Sequence, residues 1–250
     1  MVLATATLNV AMRAVEPSEV ATLKQSIARQ GYGVVENCFQ TDELACLQAF
    51  ARDAAETAKG EYAVFNGNAA LANTVLGTLG SSGTFRALCR ELYEAGTGRP
   101  GPEQGFYQVF RCLKGESGRR QSSIFHYDSY AVTVLFSILA PEQGPPGDLV
   151  LFPNRRTIRA SYVRNLMDKF LVDNPLAQRL LRRRASLRNR DVTAIRLRPG
   201  HAYLFWGYRS LHANEACAPD QLRATALMHY GDPHAGSRFR NLIRNIRSKV

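Results

Sequence analysis

Two histidines and an aspartate carry the strongest chemical signal in the chain: His126-Tyr127-Asp128 and the distant His212. Two imidazoles and one carboxylate can take one face of a metal ion and leave the remaining positions open, the set that suits non-haem Fe(II). On an extended segment residues i and i+2 project to the same side, so His126 and Asp128 converge while Tyr127 points away. A second strand, remote in sequence, has to bring His212. Coincidental residues at a surface strand end are the competing explanation, and the surroundings of His212 weigh against it.

Those surroundings begin with Pro199-Gly200, which opens the apolar run Ala202-Tyr203-Leu204-Phe205-Trp206; a turn then leads to Leu211-His212-Ala213-Asn214. Arg223, eleven residues past His212, heads another strand-like run that ends at Tyr230. Its planar fork matches a carboxylate bidentately, where a lysine would offer a point charge. Thr225 shares the face of Arg223, and Asn214 shares the face of His212, where it can touch substrate or support the ligand. His201, His229 and His234 read as structural or exposed side chains rather than ligands.

In this order and spacing the residues resemble the Fe(II)/2-oxoglutarate-dependent oxygenases, over roughly residues 105–232. Within that superfamily the chain looks most similar to the phytanoyl-CoA-dioxygenase-like hydroxylases. Their N-terminal helix, Gly-Tyr-Val-Val-like strand and second helix are matched by Ser18–Gln30, Gly31-Tyr32-Gly33-Val34-Val35 and Asp42–Ala58. The chain departs from that pattern at Gly200-His201, where Gly-Asp is frequent, and at Phe152-Pro153-Asn154-Arg155-Arg156, where Pro-Gly-Ser-His is frequent. The resemblance implies Fe(II) on His126, Asp128 and His212, and 2-oxoglutarate held by Arg223 with help from Thr225 and Tyr107. It implies O2 as oxidant and conversion of 2-oxoglutarate to succinate and CO2 as a C–H bond is hydroxylated. Asp128 favours hydroxylation over halogenation, because related halogenases carry Gly or Ala in its place. The nucleic-acid demethylase branch carries a second Arg six residues after the first; here that position is His229.

Composition sets bounds. At 250 residues and 45% hydrophobic, the chain can bury a large core as one domain. Five scattered cysteines without a CxxC pair read as reduced thiols in a cytoplasmic protein, and disfavour a structural zinc site. The N-terminus lacks a charged n-region, so no signal peptide is read, and no stretch reaches the ~20 apolar residues of a membrane span. The net charge of +11 is concentrated in Arg179, Arg182, Arg183, Arg184, Arg188 and Arg190, and in Arg238, Arg240, Arg244, Arg247 and Lys249. A solvated helix face is the default for such runs; docking of an anionic substrate or an acidic carrier protein comes second and nucleic acid third, since no aromatics interleave them.

The elements that must position these residues follow from periodicity. Ser18 reads as an N-cap before Val20, Leu23 and Ile27 at helical spacing; Leu44, Leu47, Ala51 and Ala54 give the next helix its apolar face. Residues 60–83 read as loop and 114–123 as a polar loop. Strands are expected near 106–113, 131–139, 148–152, 192–198, 202–206 and 223–230. Asn174-Pro175 caps a helix whose apolar stripe is Leu176, Leu180 and Leu187. The expected organisation is a single dioxygenase domain over 1–250. It comprises N-terminal helical support at 16–100, a core at 105–232, a helical insertion at 161–188 and a basic amphipathic helix at 236–250. The fold class is mainly β with flanking helices, a double-stranded β-helix or cupin-like jelly roll.

Further candidates for contact with substrate are Gln108 and Arg111, beside Tyr107 on one strand, and Asn154 and Arg156 at the end of another. The function expected is hydroxylation of a small metabolite, anionic or carrier-tethered, in a biosynthetic pathway. The alternatives are a nucleic-acid- or protein-modifying oxygenase and a non-catalytic jelly roll that keeps the metal ligands.

Overall fold

The computed structural model describes Met12 and residues 15–67, 69–72, 74–238 and 240. The basic helix expected over 236–250 lies, beyond Arg240, outside the described residues.

Helix α1 (Pro17–Gln30) starts two residues earlier than the Ser18 cap would place it, with Glu16 as N-cap and Pro17 in the first turn. It stops at Gly31, whose φ of 95° is left-handed; the Gly31 N–H bonds the Ile27 carbonyl. Strand β1 (Gly33–Val35) and helix α2 (Thr41–Thr57) follow, and α2 buries Leu47, Ala51 and Ala54. The segment expected as loop holds β2 (Ala63–Asn66), a 3-10 turn at Ala69–Leu71 and α3 (Val75–Ser81). Helix α4 (Gly83–Thr97) is capped by the Ser82 hydroxyl, which accepts from Phe85 N. Strand β3 (Tyr107–Leu113) leads into a short helix, α5 (Gly115–Arg120), inside the stretch expected as polar loop. Then come β4 (Val132–Leu139), β5 (Leu149–Phe152), helices α6 (Tyr162–Asp173) and α7 (Pro175–Ser186), and strands β6 (Thr193–Ile195), β7 (Ala202–Phe205), β8 (Leu211–Asn214) and β9 (Arg223–Tyr230).

Among the described residues, nine strands form two antiparallel sheets, ordered β1-β7-β4-β9-β3-β2 and β6-β5-β8. Leu135, Tyr203 and Phe205 of the large sheet pack against Leu149, Leu151 and Ile195 of the small one, so the sheets face each other as a jelly roll. The other face of the large sheet carries Phe110, Cys112, Val134, Phe136, Ala224, Ala226 and Met228, packed under α1, α2 and α4. Alternation therefore divides β9: its even residues are covered by helices, while Arg223, Thr225, Leu227 and His229 face the interior between the sheets.

Helices α6 and α7 lie between β5 and β6, and the Asn174 side chain accepts from Leu176 N at 2.9 Å as a cap should. The α7 stripe is turned outward, however: Leu176, Leu180 and Leu187 are 77%, 57% and 63% exposed. The inner face carries the buried polar side chains of Asn165 and Gln178 together with Val172, Leu181 and Ala185, which pack against Phe125, Val150 and Leu211. All five cysteines are free; Cys38, Cys89, Cys112 and Cys217 are buried and only Cys46, on α2, is exposed. Burial pushes the Cys112 thiol up to about 12.

Candidate metal centre and cosubstrate pocket

His212 enters from β8 and points between the sheets, with Phe205 edge-on to its ring at 4.9 Å. His126 and Asp128 lie on an extended segment before β4 that belongs to no regular strand. One bridge fixes it to β8: His126 N donates to His212 O at 3.0 Å, and His212 N donates back to His126 O at 3.1 Å. Asp128 N donates to Gly207 O at 3.0 Å. The result brings one ligand atom each from His126, Asp128 and His212 within 4.8 Å of one another.

Neighbouring groups set the state of those atoms. The Nδ1 atoms of His126 and His212 each lie 3.0 Å from a carbonyl two residues back, Ile124 O and Ser210 O. A proton on each Nδ1 donates to that carbonyl and leaves Nε2 free for a metal. Burial, then the adjoining His212, lowers the pKa of His126 and favours this neutral form. Burial opposes charge on Asp128, but His212, His229, His126 and the Thr133 hydroxyl outweigh it and hold the carboxyl below its usual range. Thr133 Oγ1 donates to Asp128 Oδ2 at 2.5 Å and lies 3.0 Å from His229 Nδ1. Gly207 has to be glycine here, since a Cβ would collide with both Asp128 Oδ2 and Thr133 Oγ1.

The outer side of the same segment is gripped by the helical insertion. Gln178 accepts from Phe125 N at 3.0 Å and donates to Phe125 O at 2.7 Å. Tyr127 stacks on the Arg156 guanidinium at 3.9 Å, with Tyr208 on its other face at 4.1 Å. Arg156 in turn donates to Tyr208 O, to Asp168 Oδ2 and to Asn165 Oδ1, the last two on α6. Lys169 Nζ donates to Ser129 Oγ at 2.8 Å. Residues 125, 127 and 129 are therefore tied outward while His126 and Asp128 project inward, as the alternation of an extended chain requires.

Arg223 is 1% exposed. Its Nη1 donates to Gly147 O at 2.7 Å, whereas Nε and Nη2 have no partner among the described residues. Burial lowers its pKa to about 10, so it remains a cation at neutral pH. The Nε–Nη2 edge is the one a carboxylate meets bidentately. Two more buried polar atoms on the inner faces lack partners, Ser137 Oγ and Asn214 Oδ1, and Ser137 sits opposite Thr225. Nη1 is 3.5 Å from Glu215 O, three residues past His212 and so roughly 10 Å along the chain from that ligand. A cation with an open bidentate edge beside unmet polar groups suits an anionic molecule reaching from a metal at the triad, as 2-oxoglutarate would.

The remaining candidates separate. Arg111 lies opposite Thr225 on the inner face and donates to the Tyr62 hydroxyl at 3.1 Å. Tyr107 pairs with His229 instead, six residues and roughly 20 Å along β9 from Arg223, so it lies far from that cation. It forms a stack with Tyr130 at 5.7 Å, and Tyr130 stacks on His229 at 5.4 Å, at the mouth of the interior. Gln108 is a correction: as Tyr107's neighbour it points the other way and donates to Leu76 O of α3. Asn154 is another, for its Nδ2 donates to Ile27 O and Ala28 O and so caps the end of α1. Arg156 is a third: 5% exposed, it donates to Tyr208 O, Asp168 Oδ2 and Asn165 Oδ1 and stacks on Tyr127 on the outer side of the segment, away from the interior. Sequence reasoning misses Gln178, Lys169, Thr133 and Gly207. Only Thr133 carries a signal, since it follows Asp128 at the start of the next strand.

No family model matches the chain, and no curated protein matches it. Solved structures do. EctD from S. alaskensis with bound Fe is 17% identical, with TM-score 0.58, over 90% of this chain and 82% of that one. The epimerase SnoN, in complex with Fe3+, alpha ketoglutarate and nogalamycin RO, is 17% identical with TM-score 0.54, over 86% and 85%. A Pseudomonas putida prolyl-4-hydroxylase is 12% identical with TM-score 0.52, over 89% and 98%. At these identities the likeness establishes the shared jelly-roll fold. Among the described residues no helix is long and apolar enough to cross a membrane.

Proposed function

We propose that this chain is an Fe(II)- and 2-oxoglutarate-dependent oxygenase that hydroxylates a C–H bond of a small metabolite. One observation carries the reading. Three ligand atoms of the right types converge within 4.8 Å inside a fold that also buries an arginine with an open bidentate edge. His126, Asp128 and His212 would hold the metal, leaving the side toward the interior open. When bound, Fe(II) with 2-oxoglutarate and O2 supplies the oxidising power for C–H cleavage, with succinate and CO2 as co-products. Arg223 binds the far carboxylate of 2-oxoglutarate. Thr225, Ser137 and Asn214 offer hydroxyl and amide groups beside it.

The chain's own residues do the rest. Thr133 orients the Asp128 carboxylate, and the carbonyls of Ile124 and Ser210 fix the imidazole tautomers. Phe205 and the aliphatic core of the small sheet keep water from the inner wall. Substrate enters past Tyr107, Tyr130 and Ile124. An anionic substrate or one borne on a carrier suits the Lys169 ammonium, which donates to the neutral Ser129 hydroxyl and feels the Asp128 carboxylate. The scattered free thiols accord with a cytoplasmic setting.

The test is succinate formation by anaerobically purified protein given Fe(II), ascorbate and 2-oxoglutarate and then O2, with 2-oxoglutarate also titrated into the Fe(II) protein before O2. Turnover or a charge-transfer band that disappears in Asp128→Ala supports the reading. Neither signal in the unsubstituted protein overturns it.

A further inference from the structure

Eleven large hydrophobic side chains are exposed on the described surface, and eight of them lie on or just after the α6–α7 insertion. On α6 they are Val163, Leu166, Met167, Phe170 and Leu171, spaced i, i+3, i+4, i+7 and i+8, which is one continuous face of a helix. The face turned to the protein bears Asn165, Asp168 and Lys169 instead, the residues that grip the ligand segment. Most large apolar groups of α6 thus face outward, while its inner side carries these polar groups and Val172. Exposure peaks at the corner between the helices, with Phe170 at 78%, Leu171 at 66% and Leu176 at 77%. Arg164 and Arg179 are exposed at the borders of this face and Arg183 among the leucines of α7, and none makes an ion pair with a described residue; Asp173 at the corner is exposed as well.

We propose that the α6–α7 corner seats the protein on an anionic lipid bilayer, with Phe170, Leu171 and Leu176 in the acyl boundary and Arg164, Arg179 and Arg183 among the headgroups. An apolar stripe bordered by arginines is the pattern of helices that lie in a membrane interface. The charge argues against a second copy as occupant. A two-fold pairing of this face would bring two sets of these arginines into one interface, in a protein of net charge +11. Side chains that project with most of their surface free suit a fluid acyl layer, which needs no preformed complement. The corner also lies beside the site: α6 reaches Ser129 through Lys169 and α7 reaches Phe125 through Gln178. The other three exposed hydrophobics, Val64, Tyr107 and Ile124, belong to strand and segment faces that open into the interior. Seating on a bilayer therefore brings an apolar-rimmed mouth to the lipid surface, where an amphiphilic substrate partitions.

Binding is read on the protein alone, without iron, cosubstrate or turnover, so its outcome is separate from the oxygenase reading. The experiment is cosedimentation with vesicles of equal parts phosphatidylglycerol and phosphatidylcholine, and with vesicles of phosphatidylcholine only. The expected result is partition into the anionic vesicles about tenfold or more above the neutral ones, falling as salt is raised. Replacing Phe170, Leu171 and Leu176 together with Ser lowers partition about a hundredfold. The replaced side chains are surface-exposed, and an unchanged Tm verifies that the variant folds. Arg179→Glu with Arg183→Glu removes the preference for anionic lipid. Absence of wild-type binding, or undiminished binding by the serine variant, overturns the proposal. A wild-type dimer seen by light scattering and abolished by the same serines also overturns it, since a second copy would then cover the face.

Discussion

The two halves of the candidate metal centre are built by different means. His212 and Arg223 sit on β8 and β9, where ladder hydrogen bonds and side-chain alternation fix direction without special partners. His126 and Asp128 sit on a segment with one bridge to the sheet, and its outward residues are held by side chains of a helical insertion and of the β5–α6 loop. The insertion packs on the outer face of β8, with Ala185 and Leu181 in one cluster with Leu211 and Ala213, while its side-chain hydrogen bonds go to the ligand segment.

Substitutions test this division, the largest effect first. His212→Ala removes one of the three candidate ligands while leaving the backbone bridge to His126 in place. Iron affinity measured by titration should fall more than about a hundredfold, and turnover should vanish. An unimpaired variant would remove His212 from the ligand set. Arg223→Ala should raise the KM for 2-oxoglutarate about a hundredfold, the scale expected when a buried carboxylate site is deprived of its charged bidentate donor. Iron affinity should stay nearly unchanged. A fall in iron affinity of equal size would mean that the sheet half is not divisible into metal and cosubstrate parts.

Gln178→Ala and Arg156→Lys address the helix-held half. Each should weaken iron about tenfold while leaving the KM for 2-oxoglutarate within about twofold, because outer partners of ligands act on affinity at that scale. Equal changes in both constants would erase the contrast between the halves. The smallest effect is expected at Asn154→Ala. It removes two hydrogen bonds to the end of α1 and should cost about 1 kcal/mol in thermal or denaturant unfolding, with no change in either constant. A raised KM there would return Asn154 to the substrate pocket.

Legibility in the sequence follows the same line. The sheet half is legible because strand alternation and ligand spacing are local properties: His212, Arg223 and Thr225 can be placed on faces by counting. Alternation also excludes a shared role for Tyr107 and Gln108, since adjacent strand residues face opposite ways. The grip on residues 125, 127 and 129 is not legible. Its partners, Gln178, Arg156 and Lys169, are remote in sequence and act through polar side chains whose pairing no periodicity announces. Asn154 is misleading for a similar reason, as its acceptor Ile27 lies 127 residues distant. The four-residue β2 and short α3 are too brief for a period to emerge among Gly and Asn. The stripe of α7 is apolar as its spacing indicates, but a periodic pattern does not say which side of the helix the protein is on.

The distribution of thiols gives the molecule a practical property. Four cysteines are sealed in the interior, and burial pushes the Cys89, Cys112 and Cys217 thiols up, so little reactive thiolate forms at neutral pH. Cys46 alone faces solvent, on α2, an element that supplies none of the groups around the triad or Arg223. A maleimide dye added to the unaltered chain should therefore attach once, at a known position, giving a ready-made fluorescent ruler for its distance to a labelled surface.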